Sequence, residues 1–146
     1  MPVILVAGSR KLRGQKAYNA VYDLVETFPS DTIVVSGMAD GPDIYGHHAA
    51  KVRGLYVKEY PVDQKEYLIL KKRAYYVRDM IMGVYTREHK GIAHLFILRD
   101  ILTPGTRIMR DFCVEYNIPI TWHELDLTSQ ELRTPVRDWR KPPLKE

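Results

Sequence analysis

Two rhythms of apolar and polar positions alternate along this chain. Residues 2–7 form an unbroken apolar run rich in β-branched side chains and stopped by Gly8, the pattern of a strand covered on both faces. From Gln15 the period lengthens. Ala17, Val21, Leu24, Val25 and Phe28 share one helical face, which Pro29-Ser30-Asp31 then breaks. Residues 32–36 read as a second buried strand ended by Gly37. Pro42 suits a first helical position, Ile44, His48, Ala49 and Val52 follow at helical spacing, and Gly54 offers a C-terminal cap. Residues 55–60 read as a third strand, closed by Pro61. The spacing of Tyr67, Leu70, Ala74, Val77 and Ile81 predicts one long helix over 63–85. Residues 92–98 are a fourth strand. Met109, Phe112, Cys113 and Tyr116 mark another helical face, and 118–122 a short last strand.

Strands alternating with helices predict an α/β fold: a Rossmann-like three-layer sandwich around a mostly parallel sheet. Right-handed crossovers favour strand order 3-2-1-4-5. In such sheets ligands bind beyond the carboxyl ends of the strands, near the point where strand order reverses. The loops after strands one, two and four therefore carry the candidate chemistry. One domain is expected over 1–123, followed by an extended or loosely packed charged tail over 124–146, where Pro135, Pro142 and Pro143 interrupt any periodicity.

Each of the three loops contains a glycine turn. After strand one, Gly8-Ser9-Arg10 offers a tight turn, a hydroxyl and a guanidinium fork suited to phosphate or carboxylate. It is neither a GxxxxGK[ST] loop nor GxGxxG. After strand two, Ser36-Gly37 leads to Gly41-Pro42-Asp43, where free amides at a helix start favour an anion. Asp43 has two readings, a carboxylate satisfying backbone at the helix start or a partner for a ribose hydroxyl. After strand four, Pro104-Gly105-Thr106 precedes a helix. Thr106 suits an N-cap or a phosphate-binding hydroxyl, and Arg107 a ligand cation or a solvated charge.

In order and spacing, Gly8-Ser9-Arg10, Ser36-Gly37-x-x-x-Gly41-x-Asp43, Arg78-Asp79-x-x-Met82, Gly105-Thr106-x-x-Met109 and Asn117-Ile118-Pro119-Ile120 resemble the YspA-related branch of the SLOG superfamily. Its kin are the Lonely Guy (lysine-decarboxylase-like) proteins and the DNA-processing protein DprA. The resemblance spans roughly residues 3 to 121. It implies a Rossmann-like domain that binds nucleotides or nucleotide-derived signals, with Ser9, Arg10, Gly37, Asp43, Arg78, Gly105 and Thr106 lining the site. Two departures bear on chemistry. Arg78-Asp79 stands where the family usually has Arg-Asn. Met109 stands where the Lonely Guy signature PGGxGTxxE has its glutamate, the carboxylate that phosphoribohydrolase chemistry uses.

Binding of a phosphate- and ribose-containing ligand, as a sensor, carrier or sequestering protein, is thus the first functional expectation. A nucleotide hydrolase using Asp43 or Asp79 is the second, and single-stranded nucleic-acid binding the third. Whether the protein is an enzyme stays open. The expected site is Gly8, Ser9, Arg10, Ser36, Gly37, Gly41, Asp43, Arg78, Asp79, Pro104, Gly105 and Thr106.

Charge and composition add little more. A net charge of +4 suits anionic ligands without requiring nucleic acid. Lone Cys113, on an apolar helix face, reads as a buried small hydrophobe; with no internal disulfide possible and no membrane-length apolar run, the expectation is a cytoplasmic protein. His47 and His48 diverge on their helix, and His89, His94 and His123 lack ligand spacing, so neither metal nor cofactor is expected. The long helix is apolar on more than one face, which suits deep burial or a partner subunit. A homo-oligomer formed through 63–85 is the expected assembly.

Overall fold

The computed structural model describes residues 1–140. Five strands, β1 (Val3–Gly8), β2 (Ile33–Ser36), β3 (Tyr56–Glu59), β4 (Ile92–Leu98) and β5 (Ile120–Leu125), form one sheet in the order β3-β2-β1-β4-β5. All pairings are parallel. The α/β class and the strand order are those the sequence predicts.

Side chains alternate across the sheet because strand periodicity is two. Ile4, Val6 and Val34 face α1 (Gln15–Glu26) and α2 (Pro42–Val52). Val3, Leu5, Ala7 and Val35 face α4 (Arg73–Glu88) and α5 (Pro104–Glu115), where Met82, Met109, Phe112 and Cys113 close the second core. Burying each of these larger apolar side chains contributes about 1.5–3 kcal/mol, so two filled faces hold the sheet rigidly under the loops at its carboxyl edge.

The single helix expected over 63–85 is two. A short α3 (Gln64–Leu70) ends at Lys71, whose φ of +56° cannot continue a helix, and α4 starts afresh at Arg73. Asp63 caps α3, its carboxylate accepting the Lys65 N–H at 3.0 Å. The buried face of α4 is also not the expected stripe. Ala74, Asp79, Met82, Gly83 and Thr86 turn inward, while Ile81 lies outside. Gly83 permits this, since a Cβ there would meet the Tyr116 ring at 3.0 Å. No residue of α3 is buried.

The last strand begins later than expected and extends to Leu125, so the expected boundary at 123 falls inside β5. A capping box between Thr128 and Glu131 starts α6 (Ser129–Arg133). Residues 134–140 return across α1. The Gln15 side chain accepts the N–H groups of Arg137 and Asp138, both at 2.9 Å, and Trp139 packs edge-on against Tyr18 at 5.0 Å. These hydrogen bonds and the aromatic contact fasten 134–140 without regular structure of its own. The rest of the expected tail, including Pro142 and Pro143, lies outside the described residues. Among those described, no helix is long and apolar enough to cross a membrane.

Candidate functional site

The turns after β1, β2 and β4 meet over a cavity of about 580 Å³ at the carboxyl edge of the sheet, a size ordinary for small-molecule sites. It lies beside β1, between β2 on one side and β4 on the other, where the strand order reverses.

The first wall is the turn after β1. A Cβ at Gly8 would lie 2.3 Å from the Phe96 carbonyl oxygen, so only glycine lets the chain leave β1 this close to β4. Ser9 is buried. Its N–H donates to the Phe96 carbonyl at 3.0 Å, and its hydroxyl accepts the Lys11 N–H at 3.1 Å, leaving the hydroxyl proton free to donate. Arg10 projects outward instead. Its guanidinium lies 5.0 Å from the centre of the Tyr75 ring and has no carboxylate partner among the described residues.

The second wall is built around a buried carboxyl group. Gly41, at φ +86°, lets the chain pass beneath the first turn, where a Cβ would meet the Ser9 carbonyl oxygen at 2.9 Å. Two residues on, Asp43 turns its carboxylate away from its own helix and accepts the Gly8 N–H at 3.3 Å. Of the two sequence readings, the backbone-satisfying one is present, across loops rather than within the helix. Ser36 is wholly buried below. Its hydroxyl donates to the Asp43 carbonyl at 2.7 Å and accepts the Met38 N–H at 3.1 Å, which fixes the loop. Gly37 leaves room for the charged groups, since a Cβ there would approach Asp43 Oδ2 to 2.9 Å and the Arg78 guanidinium to 3.1 Å.

Arg78 and Asp79 enter from α4. Arg78 Nη1 donates to the Gly37 carbonyl at 2.8 Å and its Nε to Asp79 Oδ1 at 3.0 Å, which ties the helix to the β2 turn. Burial pushes the Asp43 carboxyl up to about 7; Arg78 opposes the shift and Asp79 adds to it. Asp79 is raised too, by burial against the opposing pull of Arg78. Two carboxyl groups and one committed guanidinium thus share a poorly hydrated corner of the cavity.

The third wall is the start of α5. Thr103, not Thr106, is its N-cap, and its side chain makes no capping bond. Its hydroxyl instead lies 3.2 Å from that of buried Thr106. The N–H groups of Gly105 and Thr106 have no partner among the described residues. Uncapped amides at a helix start carry partial positive charge suited to an anion.

Of the expected residues, Gly8, Ser9, Arg10, Asp43, Arg78, Asp79, Pro104, Gly105 and Thr106 line this cavity together. Ser36 and Gly41 support it from below without lining it, and Gly37 opens onto an adjoining groove. Lys11, Ala39, Tyr67, Lys72, Tyr75, Thr103, Ile108 and Met109 line it as well. Part of that set had a signal. Tyr75, Arg78 and Asp79 stand at i, i+3 and i+4, as do Gly105, Ile108 and Met109, so one residue on each helix face implicates the others. Tyr67 and Lys72 stand out in the sequence only as an aromatic that can stack on a base and a member of a basic cluster, and nothing there places them at this site, because the break at Lys71 sets where they go.

No family model and no curated protein matches the chain. Among solved structures, the X-ray structure of DNA processing protein A (DprA) from Streptococcus pneumoniae is similar, with a TM-score of 0.66 at 14% identity. The fold is DprA-like. The match covers 90% of this chain and 53% of the DprA chain, so this chain spans about half the length of that structure. At this identity the likeness is one of fold. DprA is among the kin implied by the sequence motifs, and the fold it shares with this chain is the Rossmann-like one those motifs imply.

Proposed function

We propose that the cavity binds a nucleotide or nucleotide-derived ligand bearing phosphate and ribose, and that the protein senses, carries or sequesters it, as the YspA-related motifs imply. One observation carries this reading. Three glycine turns open on a single cavity, and around it Arg10, Lys11 and Lys72 have no carboxylate partner among the described residues. Cations left unpaired by the protein favour an anionic guest. Phosphate fits among the Ser9 hydroxyl, Arg10 and the amides of Gly105 and Thr106. The base fits against Tyr67, Ile108 and Met109. Calorimetry with AMP, ADP, UMP and UDP tests it. Binding is expected, with Arg10→Ala weakening it about tenfold, the worth of one charge-assisted hydrogen bond. Silence across the panel, or affinity indifferent to Arg10→Ala, overturns it.

A second reading, a nucleotide hydrolase, is favoured by one feature: a carboxyl group on the cavity wall, Asp43, titrates near neutrality, where a group serves best as acid or base. Against it, Met109 puts an apolar side chain on the wall at the position of the signature glutamate. Release of base or phosphate that survives both Asp43→Asn and Asp79→Asn removes this reading. Nucleic-acid binding ranks third, supported by the DprA-like fold and the unpaired cations. Leu68 and Ile69 on α3 and Ile81 on α4 are exposed apolar side chains within 63–85. They support a homo-oligomer, to be tested by light scattering at micromolar protein.

A further inference from the structure

A second depression of about 270 Å³ adjoins the cavity. The two share four residues, Arg10, Ala39, Tyr75 and Arg78, so they are compartments of one cleft with an Arg–Tyr–Arg partition between them. Both guanidinium groups lie near the Tyr75 ring, Arg10 at 5.0 Å and Arg78 at 5.5 Å from its centre. Beyond this partition the groove is walled by Gly37, Met38, Asp40, Pro61 and Val62.

The compartments differ in chemistry. The large one has an apolar side suited to a base and a helix start suited to phosphate. The partition offers a second place for negative charge. Arg78 commits Nη1 to the Gly37 carbonyl and Nε to Asp79, which leaves Nη2 available, and Arg10 makes no side-chain hydrogen bond among the described residues. The groove itself presents a carboxylate. Asp40 is exposed and steadied by Arg13, whose Nη2 lies 3.3 Å from Asp40 Oδ2, leaving Oδ1 open. A carboxylate repels further phosphate and accepts hydrogen bonds from hydroxyl groups.

From this order (apolar wall, amide-rich helix start, paired guanidinium groups, carboxylate groove) we propose that the ligand is a nucleoside diphosphate esterified to a sugar. The two phosphates occupy the helix start and the partition, and the sugar hydroxyls face Asp40. This rests on the nucleotide-binding reading and narrows its ligand class.

Calorimetry with AMP, ADP, ADP-ribose, UDP and UDP-glucose tests it. At least one sugar diphosphate is expected to bind about tenfold tighter than its parent diphosphate, the worth of one hydrogen bond to a charged group. Asp40→Asn and Val62→Trp, the first removing the charge and the second filling the groove, are each expected to bring that ratio to about one. Asp40 is a surface residue, and melting curves serve to check that both variants fold. A wild-type ratio near one while AMP or ADP binds overturns this proposal and spares the nucleotide reading. A ratio unchanged in both variants also overturns it. Silence of every probe overturns both.

Discussion

The carboxyl group of Asp43 is the residue on which local chemistry and stability meet. It is buried between the Gly8 amide and the Arg78 guanidinium, and burial outweighs both in raising its pKa to about 7. Between the ordinary carboxylate value near 3.8 and about 7, the folded state therefore holds a proton that the unfolded state has released. That protonated form contributes stability which is fully present below the unfolded value and lost as pH rises through about 7. Asp43→Asn keeps an oxygen for the Gly8 N–H and removes the titration. Its stability relative to wild type is expected to rise steadily between about pH 4 and 8, read as urea midpoints at each pH. The buried His94, lowered to about 4 by desolvation and by His123, acts in the opposite sense below 6.5. It is common to both proteins and cancels in the difference. A difference independent of pH would mean that Asp43 ionises normally in the fold.

At the scale of elements, the break between α3 and α4 decides what covers the cavity. Tyr67 and Lys72 reach the site because Lys71 turns the chain through φ +56° and ψ −134°. This is a region where a side chain is strained and glycine is not. Lys71→Gly is expected to raise stability by about 1 kcal/mol in urea unfolding, the relieved strain exceeding the entropy that glycine adds to the unfolded chain. A loss of stability would show that the Lys71 side chain holds the turn. Nothing in the residues announces this break. Lys71-Lys72-Arg73 is good helix-forming sequence, and the apolar spacing runs through it. Tertiary packing imposes it, since α4 buries Ala74, Met82 and Gly83 against its neighbours while α3 buries nothing. By contrast α5 was legible, because Met109, Phe112 and Cys113 lie on one face and all three are buried in the second core. The pairing of His94 with His123, 3.0 Å apart on neighbouring strands, was not, because register across a parallel sheet is invisible to spacing along the chain.

Across the whole molecule, the sheet order was readable because strand–helix alternation and right-handed crossovers leave few topologies, and the same rule located the cavity. The return of 134–140 over α1 was unreadable, because it depends on single partners such as Gln15 and Tyr18 rather than on a period. What the cavity takes is a question of total charge and reach. Cations line one cleft, and its walls include apolar Ile108 and Met109 and the carboxyl groups of Asp43 and Asp79. Such a site engages one or two phosphates. A strand of nucleic acid would engage many, and each neutralised phosphate steepens the fall of affinity with salt. Raising salt from about 50 to 200 mM is therefore expected to weaken ADP binding by about tenfold or less, whereas a polyanion held at six or more phosphates loses about a thousandfold. Titrations of ADP and of a single-stranded oligonucleotide at both salt concentrations separate the cases. A shallow slope for ADP with no competition from the oligonucleotide fits a small-molecule cleft. Tight oligonucleotide binding with a steep slope that displaces ADP would reassign the same cations to a nucleic-acid path, with the cavity as one station along it.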